Sequence, residues 1–105
     1  MCNEPREIIP LRPVLARHFS APPCRVFLFG SCARGDARPG SDWDIGVWSD
    51  EPVPGHVLAA AREDLDALPS LHTYEIVDFA HVEPEFRRCA LRHAIPILGD
   101  LPDAR

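Results

Sequence analysis

The chain has 105 residues, of which 46% are hydrophobic and 26% are charged, and its net charge at pH 7 is −5. This length suits one domain, residues 1–105, with a modest core and no room for a second domain that would hold a large substrate. The acidic balance offers no basic surface to a long nucleic acid, and no apolar run is long enough to span a bilayer.

Apolar and turn-forming residues alternate along the chain in a way that predicts strands separated by helices. An early apolar stripe is interrupted by Pro10 and Pro13, so we place the first helix after Pro13. Helical spacing recurs over residues 56–68 and 83–93. The runs of strand length and composition are 25–29, 42–48, 74–79 and 95–98. We therefore expect an α/β fold, a mixed sheet of about four strands with helices packed mainly on one face.

The segment after the first strand contains a turn of the kind that binds phosphates. Gly30 and Ser31 directly follow the strand. A glycine lets the backbone approach a phosphate, and amides at the start of a helical turn point at an anion. Arg34, three residues later, places a guanidinium where it can bind a triphosphate or the charge on a leaving pyrophosphate. Because Gly-Ser turns are common, this feature alone predicts little.

The second predicted strand begins with a pair of aspartates, Asp42 and Asp44. Side chains at i and i+2 of a strand share a face, which puts the two Cα atoms roughly 7 Å apart. Trp43, Ile45 and Val47 alternate with the aspartates, so the opposite face of the strand is predicted to be buried. Two carboxylates on one face suit magnesium, which prefers oxygen ligands and is commonly shared between carboxylates and substrate phosphates.

Together, the turn and the aspartate pair resemble the signature of the nucleotidyltransferases of the DNA polymerase β superfamily. The residues that carry the resemblance are Phe29-Gly30-Ser31-x-x-Arg34-Gly35 and Ser41-Asp42-x-Asp44-Ile45. Within that superfamily the chain is similar, over roughly residues 25–98, to the minimal nucleotidyltransferases (MNT) that are paired with HEPN-domain proteins in toxin–antitoxin modules.

This resemblance implies a magnesium-dependent enzyme that transfers AMP from ATP to a tyrosine of a HEPN ribonuclease, so that the chain acts as its antitoxin. Its nucleotide-binding residues would be Gly30, Ser31, Arg34 and Ser41. A HEPN-domain toxin is then the expected partner, and either a homo-oligomer or a hetero-oligomer is compatible with this role.

The superfamily also uses a third acidic residue on a later strand, and two positions compete for it here. Glu75 precedes the hydrophobic pair Ile76-Val77, as the family pattern requires, where most relatives carry aspartate. Asp78 has the commoner side chain but lies three residues later, so it faces the other side of the strand. The alternation favours Glu75 as the third catalytic carboxylate and metal ligand, with Asp78 as the alternative.

Two other functions are compatible with these residues. A protein that keeps the fold but does not turn over would neutralise a HEPN partner by binding alone. A small-molecule nucleotidyltransferase of the aminoglycoside-modifying type would need an acceptor-binding part from an oligomer or a partner.

The N-terminal residues lack the basic and apolar regions of a secretory signal, and the four cysteines form no CxxC pair, so we expect a cytoplasmic protein with reduced thiols.

Overall fold

The computed structural model describes residues 9–19, 24–30, 42–49, 51–68, 73–80 and 82–99, without the side chain of Asp42. The elements in these segments are α1 (Leu11–Phe19), β1 (Arg25–Phe29), β2 (Asp42–Trp48), α2 (Gly55–Asp66), β3 (Thr73–Asp78), α3 (Pro84–Leu91) and β4 (Ile95–Leu98). The predicted strands and the two later helices are confirmed to within two residues. None of the described helices is long and apolar enough to cross a membrane.

The first helix differs from the prediction because it begins at Leu11 and includes Pro13. Proline has no N–H to donate and disrupts a helix interior, which is why the sequence pattern placed the helix after it. The first four N–H groups of a helix have no acceptor within the helix. Pro13, in the first turn of α1, therefore costs α1 no internal hydrogen bond.

The four strands form one sheet in the order β3-β2-β1-β4. β1 runs antiparallel to both β2 and β4, whereas β2 and β3 are parallel. A parallel pair needs a crossover connection, and α2 provides it between β2 and β3. The predicted mixed α/β sheet is thus confirmed, with β2 in its interior and β3 at an edge.

One face of the sheet packs against α1 and α2 and forms the larger core. Trp43, Ile45 and Val47 of β2 point to this face and are 3%, 0% and 0% exposed, as their alternation predicted. Leu15 of α1 and Leu65 of α2 are fully buried in the same cluster. Two of the three described helices therefore cover this face, which confirms that the helices lie mainly on one side.

The other face carries a smaller aromatic cluster under α3. The ring centroid of Phe79 lies 4.9 Å from that of Phe27 and 5.1 Å from that of Phe29, in edge-to-face arrangements. Such arrangements are favourable because the positive edge of one ring meets the negative face of the other. Leu91 of α3 is buried in this cluster, so α3 is held to the sheet by apolar contacts.

Because Gly46 of β2 has no side chain, it leaves room for the rings of the aromatic cluster. A Cβ atom at this position would overlap the ring of Phe27 and would lie 2.8 Å from Cε1 of Phe79. We expect Gly46→Ala to lower the free energy of unfolding by about 1–3 kcal/mol, because overfilling a packed core displaces its neighbours. Chemical denaturation measures this change, with Gly55→Ala as the control, since a Cβ at Gly55 meets no atom of the described residues within 4 Å. Equal denaturation midpoints for the two variants would contradict the packing argument.

Candidate active site

The parallel pairing of β2 with β3 brings two predicted carboxylates together. Asp44 lies directly opposite Glu75 in the register of the two strands. On its other side Asp44 is paired with Phe29 of β1. Residues paired in this way point to the same face of a sheet, so both carboxylates lie on the face that carries the aromatic cluster. Both residues are only half-buried, which keeps them within reach of a ligand from solvent.

The turn after β1 contacts the carboxylate of Asp44. Gly30 has a φ of +80°, a backbone conformation that residues other than glycine rarely adopt. A Cβ atom at Gly30 would overlap Oδ2 of Asp44 and would lie 3.2 Å from its Cγ. The glycine therefore both permits the turn and makes room for the carboxylate. The predicted phosphate-binding turn and the predicted metal-binding strand meet at this contact.

Glu75 has a cationic neighbour on α2. Nη2 of Arg62 lies 3.4 Å from Oε1 of Glu75, and the two side chains are 51% and 46% exposed. Exposed ion pairs of this kind contribute little to stability, because water screens the charges and two long side chains lose freedom. Arg62 offsets part of the repulsion between Glu75 and Asp44 and leaves Glu75 accessible.

Asp78 lies in a different environment. It pairs with Val47 in the register, so its side chain faces away from the side on which Asp44 lies. Its Oδ2 accepts a hydrogen bond from the N–H of Val53 at 3.0 Å, and its Oδ1 accepts one from the N–H of Ala80 at 3.0 Å. These bonds tie the connection after β2 to the end of β3. The third carboxylate stays a prediction, and Glu75 has the position that the prediction requires.

The remaining predicted site residues lie outside the described part of the chain. These residues are Ser31, Arg34 and Ser41, and the side chain of Asp42 is likewise not described. The backbone of Asp42 lies on β2 opposite Thr73, two residues before Asp44. The side chains that the structure does describe include no group of three His, Cys, Asp or Glu that could hold a metal ion.

The donor chemistry of the site nevertheless fits a hard cation. Asp44 and Glu75 are paired in the register of β2 and β3, so both carboxylates belong to one sheet face. Oxygen donors of this type, few in number, match magnesium, which takes its remaining ligands from substrate phosphates and water. Asp42, two residues before Asp44 on β2, is predicted to bind the metal ion together with Asp44 and Glu75.

A cleft of about 400 Å³ opens beside Asp44, between α3 and the sheet. The sheet side and the end of β1 contribute Phe29, Gly30, Asp44 and Val77, and the helical side contributes Phe86, Cys89, Ala90 and His93. No role was predicted for the helical residues, because apolar side chains at helical spacing, such as Phe86 and Ala90, are typical of ordinary packing. The exposure of Phe86, 47%, is a property that the apolar spacing does not reveal.

The sequence matches the family model described as nucleotidyltransferase domain over residues 11–96. No curated protein sequence matches the chain. The matched span includes every described element except the last two residues of β4.

Several solved structures share the fold. A chain of a toxin–antitoxin crystal structure with AMP-PNP is 22% identical, with a TM-score of 0.59, over 72% of this chain and 60% of that one. A chain of an MntA-HpeT toxin–antitoxin mutant is 17% identical, with a TM-score of 0.69, over 89% and 73% of the two chains. A chain from the complex of tri-AMPylated Shewanella oneidensis HEPN toxin with MNT antitoxin is 16% identical, with a TM-score of 0.61, over 89% and 73%. This chain therefore matches only 60% of the length of the first of these chains. At identities of 22%, 17% and 16%, the likeness establishes the fold alone.

Proposed function

The chain belongs to the nucleotidyltransferase domain family, and on that basis we propose that it transfers AMP from ATP to a tyrosine of a HEPN-domain toxin and thereby acts as the antitoxin. The observation that carries this proposal is the pairing of Asp44 with Glu75 on one sheet face, together with the contact between Asp44 and the turn at Gly30. The similar structures support the choice of nucleotide and partner, since one contains AMP-PNP and another an AMPylated HEPN toxin with an MNT antitoxin.

In the proposed reaction, a tyrosine hydroxyl of the partner attacks the α-phosphorus of ATP. A phosphodiester bond forms between the tyrosine oxygen and AMP, and the bond to pyrophosphate breaks. Glu75 is half-exposed beside Asp44 and accepts the hydroxyl proton. Arg34, at the predicted phosphate turn, stabilises the charge on the leaving pyrophosphate.

The same carboxylates account for the expected need for magnesium. Asp42, Asp44 and Glu75 would hold the ion, with phosphate oxygens of ATP completing its ligands. When bound, magnesium neutralises charge on the phosphates and so favours attack on phosphorus. The contribution of the protein is to present these carboxylates on a sheet, with Gly30 keeping the backbone close to Asp44.

Gly30→Ala is expected to slow AMP transfer at least about tenfold, because the new methyl group would displace the carboxylate of Asp44 and small misplacements in an active site are costly. The measurement is the initial rate of AMP incorporation into the partner. Gly99→Ala is the matched control, since Gly99 also has a positive φ, +70°, but among the described residues its Cβ would meet only Cγ of Arg25, at 3.7 Å. Both variants lose about 1–2 kcal/mol of stability to backbone strain. A normal transfer rate in Gly30→Ala would contradict the role given to this contact.

Intact-mass spectrometry tests the proposed function directly. The chain is incubated with magnesium, ATP and the protein encoded by the adjacent gene, and the mass of that protein and of its fragments is measured. We expect AMP-sized increments that map to tyrosine and that are absent when Asp44→Ala replaces the wild type. A stable complex without any increment would instead establish an antitoxin that works by binding alone.

A parallel reaction with an aminoglycoside in place of the partner tests the small-molecule alternative. Adenylylation of the aminoglycoside, with no modification of a bound partner, would overturn the proposed protein acceptor and leave the nucleotidyltransferase assignment standing. We expect no modified aminoglycoside, because the similar structures are toxin–antitoxin complexes, one of them with an AMPylated HEPN toxin.

A further inference from the structure

An exposed aromatic ring lines the cleft beside Asp44. Phe86 of α3 is 47% exposed, although its ring contacts the aromatic cluster, with centroid distances of 6.1 Å to Phe29 and 5.9 Å to Phe79. One edge of the ring is thus held by other rings while much of the side chain is open to solvent. A phenylalanine in this position offers a preformed surface on which a flat ring can stack.

The lining of the cleft matches a heteroaromatic base. Its apolar walls come from Phe29, Val77, Phe86 and Ala90, and polar atoms are supplied by Cys89, by exposed His93 and by the backbone of Gly30. A nucleobase has the corresponding distribution, with apolar faces and a polar edge. The volume of about 400 Å³ lies within the usual range of small-ligand pockets, roughly 300–1,000 Å³.

The position of the cleft favours the nucleotide over the acceptor as its occupant. Gly30 and Asp44, which belong to the predicted nucleotide site, line the cleft, whereas Glu75 does not. A nucleotide with its α-phosphate at Asp44 can therefore extend its base towards α3. The acceptor hydroxyl then approaches from the side of Glu75, on the edge strand β3.

We propose that the base of the nucleoside triphosphate stacks on Phe86 in the cleft between α3 and the sheet, with Cys89 and His93 beside its polar edge. This inference rests on the proposed function, since it requires a nucleotide whose phosphates lie at Asp44. It adds a base-binding subsite, built from residues of α3 and of the turn that follows it, to a site otherwise made of strands and the β1 turn.

Cys89 allows occupancy of the cleft to be measured without any transfer reaction. Its side chain is an exposed thiol. Cys24 serves as the internal reference because it packs against the core on the opposite face of the sheet, where burial raises the pKa of its thiol and slows its alkylation. Alkylation by iodoacetamide is followed peptide by peptide, in the presence of MgATP or of magnesium tripolyphosphate, and binding of each is measured by calorimetry.

We expect saturating MgATP to slow alkylation of Cys89 about fivefold or more, because a ligand seated in such a pocket buries most of its surface against it. Tripolyphosphate, which has no base, should leave the alkylation rate of Cys89 unchanged. Cys24 should be alkylated at the same rate with MgATP as with magnesium tripolyphosphate. Bound ATP that leaves the alkylation rate of Cys89 unchanged would overturn the base subsite and leave the proposed function intact. Absence of any nucleotide binding would overturn both.

Variants at Phe86 test the stacking itself. We expect Phe86→Leu, which keeps apolar contact with Phe29 and Phe79 but has no ring, to raise the Kd for ATP about tenfold, within the range found for base–aromatic stacking. Phe86→Tyr keeps the ring and should bind ATP as the wild type does. The Kd for tripolyphosphate should be unchanged in both variants. Wild-type affinity for ATP in Phe86→Leu would show that the base does not stack on this ring.

Discussion

Replacing Asp44 by asparagine is expected to reduce AMP transfer at least about a hundredfold, because a metal ion at phosphate is worth several kcal/mol and each 1.4 kcal/mol is a factor of ten in rate. The substitution keeps the size of the side chain and removes its charge. The free energy of unfolding should change by no more than about 1 kcal/mol, since the amide no longer repels Glu75, which lies directly opposite. Loss of activity with retained stability is the signature of a residue used for chemistry.

Asp66→Asn is the matched control for this experiment. It makes the same change of charge at an exposed position, the last residue of α2, on an element other than the two strands that carry the carboxylate pair. Transfer rates are compared at saturating ATP and partner, and unfolding is followed in urea without magnesium. A rate for Asp44→Asn within about threefold of the Asp66→Asn rate would exclude Asp44 from the reaction.

Glu75→Gln and Asp78→Asn are expected to have opposite effects. Glu75→Gln should reduce transfer about a hundredfold or more, a loss that begins at the lower end of the range for a general base. It should cost little stability, because its partner Arg62 forms an exposed ion pair with it. Asp78→Asn should keep transfer near the wild-type rate but lower the free energy of unfolding by about 1.5–3 kcal/mol, as expected for hydrogen bonds to a charged acceptor.

Measuring transfer rate and urea denaturation on both variants decides which carboxylate completes the site. Both replacements remove one negative charge, so each is the control for the other. An active Glu75→Gln together with an inactive but stable Asp78→Asn would assign the third carboxylate to Asp78. Loss of transfer in Glu75→Gln, with the toxin still neutralised, would favour an antitoxin that acts by binding.

The sequence by itself determined the strands and, through the central motif, the family. The runs that form β1 and β2 are short, contain β-branched and aromatic residues, and are bounded by turn residues. Such local signals do not depend on the rest of the fold. The alternation around Asp44 correctly predicted the buried face of β2. The spacing of Gly30-Ser31 and the aspartate pair was specific enough to indicate the family, which the family model confirms.

Only the tertiary structure decided how the separate elements meet. Alternation along β3 shows that Glu75 and Asp78 face opposite sides, but the register with β2 determines that Glu75 lies opposite Asp44. That register depends on how the α2 crossover packs, which is a contact distant in sequence. The same holds for Phe86, because helical spacing marks it as apolar while the packing under α3 decides that it stays exposed at the cleft. Local periodicity assigns a residue to a face, and only the packed neighbours of that face decide what the residue contacts.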